Sequence, residues 1–128
     1  MTLRIVRLGT PRLTDEGLRI GTVRRPPRGV RKERFAADDW YDVWYPELSP
    51  SAPLLASAQQ AATPEAWAAF EKAFRREMAE AAPSHALDLL AALSHRTDLS
   101  IGCYCAEESR CHRSILRGLL ADRGAKLA

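Results

Sequence analysis

Apolar and polar positions alternate at the start of the chain. Leu3, Ile5, Val6 and Leu8 interleave with Arg4 and Arg7, which predicts a half-buried strand over 3–9 with one irregularity at Val6. "GLRIGTV", 17–23, predicts a second strand, and Gly9, Pro11, Asp15 and Gly17 supply turn chemistry between the two. The period then changes. In "TPEAWAAFEKAFRREMAEAAP", 63–83, Trp67, Phe70, Phe74 and Met78 recur at helical spacing. Thr63 suits the N-cap, Pro64 the first helical position, and Glu71 and Arg75 an i,i+4 pair. "SHALDLLAALSHRTD", 84–98, restarts a helix at Ser84 with Leu87, Leu90 and Ala91 inward. "LSIGCYC", 99–105, reads as a strand, and 109–124 as a final helix with Ser109 as cap and Gly124 as terminator. The Ala-rich stretch 52–62 is short and gets no element. Strands giving way to a helix–strand–helix C-terminal half predict an α/β sandwich: one domain over 1–128, with a small, mostly parallel sheet flanked by helices.

Composition changes this picture little. The 128 residues are 46% hydrophobic, ordinary for a folded chain. A net charge of +3 is too small to imply nucleic acid by itself. "MTLRIVRLGTPRL" has no apolar signal core, no run is long enough for a membrane span, and three clustered cysteines suit a reducing compartment. Cytoplasmic location is the expectation, with no membrane partner.

The chemistry gathers in "CYCAEESRCHRSIL", 103–116, which holds every cysteine of the chain. Strand parity puts Cys103 and Cys105 on one face, and Cys105 falls at the carboxyl end of a strand, where open α/β sheets bind ligands. Cys111 then falls in the first turn of the last helix, beside Arg110 and Arg113. The helix end and the arginines favour phosphate, sulfate or carboxylate, and the same field lowers a thiol pKa. The cysteine-phosphatase spacing is missed, because Arg110 comes one position early. Four readings stay open. Cys105, Cys111 and His112 are candidate catalytic residues, a thiolate with its base or orienter, and Arg113 and Arg110 bind the anion. Cys103, Cys105, Cys111 and His112 are the candidate metal set, for zinc or iron. Adjacent Cys111 and His112 chelate one ion poorly, so no bound metal or other cofactor is expected. A regulatory Cys105–Cys111 disulfide and plain burial complete the four.

"RRPPRGVRKER", 24–34, is a rigid basic loop. Arg24, Arg25, Arg28 and Arg31 either close the pocket over the anion or, with Trp40, Tyr41 and Trp44, bind nucleic acid or a protein partner. The aromatics otherwise serve packing. His95, near a helix C-terminus, reads as structural, and His85 has no evident partner. Whether the chain is an enzyme stays open, as do its substrate and oligomeric state.

"RRPPRGVRKERFAADDWYDVWYPELSPS", "WAAFEKAFRREM" and "LSIGCYCAEESRCHRSIL", in that order, resemble the domain of unknown function 488 family, in particular its YeaO-like members. These are small bacterial cytosolic proteins. The resemblance covers most of the chain and implies a compact α/β domain without an assigned activity. Within it, His112 looks the more general feature and Cys111 a feature of one branch. Where relatives look like "RLWPRGV" this chain has "RRPPRGV", so one pocket aromatic is missing.

Overall fold

The computed structural model describes residues 1–60 and 62–128. Four strands, β1 (Leu3–Arg7), β2 (Leu18–Gly21), β3 (Val43–Trp44) and β4 (Leu99–Cys103), form one parallel sheet in the order β1-β4-β2-β3. The central strand is therefore the last in sequence. Its Leu99 lies in register with Leu3 on one side and Leu18 on the other. β4 is buried along its whole length, as parallel strands are when both faces are covered. It ends at Cys103, two residues before the predicted boundary.

Four helices follow the same logic: α1 (Ala52–Gln59), α2 (Pro64–Met78), α3 (Ala81–Leu93) and α4 (His112–Asp122). Thr63 caps α2 through its side chain, accepting from the Ala66 N–H, with Pro64 in the first turn. Phe70, Phe74 and Met78 of its stripe are buried and Trp67 is partly so. Fully burying one such side chain contributes roughly 1.5–3 kcal/mol. They meet Leu3, Ile20, Leu99 and Ile101 of the sheet, Leu87 and Leu90 of α3, and Ile115, Leu116 and Leu120 of α4 in one core. The fold is α/β, as the pattern predicted.

Several boundaries differ from the sequence reading. α1 occupies the Ala-rich stretch 52–62 that received no element; Ala61 lies outside the described residues. α3 begins at Ala81 rather than Ser84, and Pro83 fits because a helix's first turn leaves its N–H groups unbonded anyway. The last helix begins at His112, because 108–110 form a separate 3₁₀ turn and Ser109 lies inside it.

The other sheet face carries charge. Arg19 and Glu16, 0% and 1% exposed, form a bidentate pair at 2.6 and 2.9 Å. Ser100 donates to Glu16 at 2.7 Å, and the Thr10 and Asp39 carbonyls accept from Arg19 Nη1. Each buried charge thus has its partner. Gly102 of β4 is a necessary glycine: a Cβ there would meet the Val6 carbonyl oxygen at 2.7 Å. At the open edge of β1, the C-terminal tail adds a parallel bridge, Leu3 to Leu127. No helix among the described residues is long and apolar enough to cross a membrane.

Candidate functional site

β4 carries Cys103 to the carboxyl edge of the sheet. The chain leaves through Tyr104 and the exposed Cys105, turns at 108–110, and enters α4 at Cys111. Glu108 anchors the turn to Arg117 by a bidentate pair at 2.5 and 2.8 Å, and the arginine hydrogen bond holds the Glu108 carboxyl below its usual range. Cys111 is the N-cap, in extended conformation with φ −129° and ψ 149°, and among the described residues no side chain caps the helix.

This geometry brings Cys103, Cys111 and His112 together. All three are buried, and their ligand atoms lie within 4.8 Å of one another. The Cys103 and Cys111 sulfurs are in contact. His112 Nδ1 lies 3.6 Å from Cys111 Sγ, and Nε2 lies 2.7 Å from the Thr22 carbonyl oxygen. A carbonyl only accepts, so Nε2 carries the proton and Nδ1 presents a bare lone pair to the sulfur. Burial pushes His112 down to about 4, the Thr22 bond opposes that, and the charges of Arg113 and Arg24 add to it. The ring is therefore neutral at pH 7. Its edge packs on Phe74 at a centroid distance of 5.6 Å. An extended cap residue and a first helical residue thus bring the adjacent Cys111 and His112 side chains together.

Cys105 stands apart from the trio. It connects to the site through its main chain, whose carbonyl accepts from Arg113 Nη2 at 2.7 Å. Arg113 is 4% exposed, and its Nε is buried with no acceptor among the described residues. Burial lowers its pKa, while the charges of Glu108 and Cys105 oppose that. Arg110 is exposed and faces a cavity of about 430 Å³ lined by Thr63, Pro64 and Trp67, away from the cysteine trio.

The basic loop reaches the same edge only in part. Arg24 is spent on structure, donating to the Ser49 and Pro50 carbonyls at 3.0 Å each. Arg25 presents its carbonyl to the Tyr104 hydroxyl at 2.8 Å, which ties the loop to the C-x-C segment. The Arg25, Arg28 and Arg31 side chains are exposed. Trp40 packs edge-on against Tyr104, and Trp44 Nε1 donates to the Val23 carbonyl at 2.7 Å. His95 donates to the Gly124 carbonyl at 2.7 Å, a structural link, and His85 is exposed.

Sequence reasoning gave three participants no place at this site. Thr22 acts through its main chain, which leaves no residue-type signal. Tyr104 was read only as the middle of C-x-C. Tyr41 was counted among the aromatics, yet its hydroxyl is buried without a partner among the described residues, in the cluster that holds Cys103 and Cys111. Desolvation raises the phenol pKa accordingly.

A parallel α/β sheet with a cysteine- and histidine-bearing loop at the carboxyl end of its central strand defines the class of molecule. Over residues 3–124 the chain matches the family model described as the active DUF488-N3 subclade. It belongs to the DUF488 family. No curated protein and no solved structure shows significant similarity to it.

Proposed function

We propose that the carboxyl end of β4 binds an anionic small molecule, with Arg113 as the clamp and Cys105 as the sulfur presented to it. The observation that carries this reading is Arg113 itself. A guanidinium that is almost wholly buried, with one N–H lacking an acceptor, is costly unless an acceptor arrives. It lies at the opening turn of α4, where free N–H groups and the helix dipole favour negative charge. Cys105 is the exposed thiol beside it, whereas Cys111 is 2% exposed and out of a substrate's reach. His112, with Nε2 committed to Thr22, orients Cys111 and is not the base for Cys105. Arg25, exposed on the loop that Tyr104 holds, supplies a second cation at the rim.

The test is iodoacetamide labelling of the folded protein, read by mass spectrometry at Cys103, Cys105 and Cys111 separately, with and without inorganic phosphate. Cys105 should label first, phosphate should slow it severalfold, and Arg113→Lys, which keeps the charge but loses the fork, should lose most of that protection. Labelling of Cys105 at one rate with and without phosphate, in folded wild-type protein, would remove the reading.

A further inference from the structure

We propose that Cys103, Cys111 and His112 hold a thiophilic divalent cation, zinc in the first instance, through the two Sγ atoms and His112 Nδ1. The three donors already lie within 4.8 Å of one another. The Cys111 Sγ to His112 Nδ1 distance is 3.6 Å. Zinc bonds of about 2.3 Å to sulfur and about 2.0–2.1 Å to nitrogen, at a tetrahedral angle, subtend about that same edge. The imidazole is also prepared. Its Nε2–H donates to the Thr22 carbonyl at 2.7 Å, the outer hydrogen bond by which metal-bound histidines are oriented, so Nδ1 is free to ligate.

The Cys103 and Cys111 sulfurs are in direct contact here, so a cation requires them to part, and the backbone spacing leaves room for that. The Cys103 and Cys111 Cα atoms are 7.9 Å apart, beyond the limit of about 7 Å at which a disulfide closes without backbone movement. Charge agrees as well. Two thiolates and a neutral imidazole exactly offset a dication in number, so the filled site is neutral, as burial requires. Sulfur and imidazole donors select zinc over magnesium or calcium. The trio supplies three corners of a tetrahedron, and the fourth falls to water or an incoming ligand.

This inference is independent of the anion reading, which rests on Cys105 and Arg113. The experiment is titration of the reduced, chelator-treated full chain with Co(II), followed by displacement with Zn(II). One equivalent of Co(II) should give tetrahedral visible bands and a thiolate-to-cobalt charge-transfer band with the intensity of two thiolates. Zn(II) should abolish both. Cys103→Ser and His112→Gln should each weaken binding by more than about tenfold, and Cys105→Ser should leave it unchanged. Absence of the charge-transfer band in wild-type protein, or an intact-mass signature of a Cys103–Cys111 disulfide surviving reductant, would overturn the proposal. Either outcome leaves phosphate protection of Cys105 untouched, so the two readings fail separately.

Discussion

Arg19 has no exposed surface, and its guanidinium is closed on every side by Glu16, Thr10 and Asp39. Burial by itself would raise the Glu16 carboxyl, but the Arg19 and Ser100 hydrogen bonds outweigh it and leave the group below 4.5. A carboxylate depressed in the folded state contributes stability that is complete above the unfolded value and lost as pH falls through the folded one. Thermal midpoints should therefore drop as pH is lowered below about 4.5, with Glu16 among the causes. Glu16→Gln should flatten that acid limb. It should also cost about 3–5 kcal/mol at neutral pH, because it leaves Arg19 charged and unpaired in the interior. Denaturant midpoints across the pH range check both statements, and an unchanged acid limb in the variant would count against the assignment.

Among the helices, the start of α2 was legible, because cap, proline and apolar stripe all reported the same element, whereas its end at Met78 falls short of the predicted 83. α4 was legible as a helix but not in its start or its length. Serine is the better cap by type, yet the Glu108–Arg117 pair holds 108–110 as a separate turn and passes the cap to Cys111. That shift decides the chemistry: Cys111 as an extended cap meets His112, whereas as a helical residue it would point elsewhere. The thiol, the histidine and Arg113 were readable as residue types within one stretch. Their grouping was not, since it depends on the Thr22 carbonyl and on β4 ending at Cys103. The charged sheet face was missed because "GLRIGTV" looks like any half-buried strand, and nothing local says that Arg19 faces in. Strand interiors bring one further expectation. Gly102→Ala should destabilise by about 1–3 kcal/mol, because its methyl would press on the Val6 carbonyl and the Leu8 side chain in the middle of the sheet. Urea unfolding measures it, and a neutral effect would mean that β1 and β4 separate more easily than their pairing implies.

Across the whole molecule, β4 is the strand that joins β1 to the rest of the sheet. It separates β1 from β2, orders the site loop and launches α4. Residues 1–98 without it keep the short β2–β3 pairing but leave β1 with no strand partner and the helical layer without the strand that joins the sheet. A chain ending at residue 98 should show no cooperative thermal transition by circular dichroism, while the full chain melts in one step; a cooperative transition in the fragment would show a folding unit that does not need β4.

The strand order also carries a cost in time. Between Gly21, the end of β2, and Cys103, the end of β4, a ribosome adds about 80 residues, about 4–16 s of synthesis at its usual rate. Throughout that interval the edges of β1 and β2 that β4 will fill stay unsatisfied, the condition that invites pairing with a neighbouring chain. Arg4 and Arg7 place positive charge on β1, and charged side chains on an unpaired edge discourage pairing with other chains until β4 emerges and takes its place beside it.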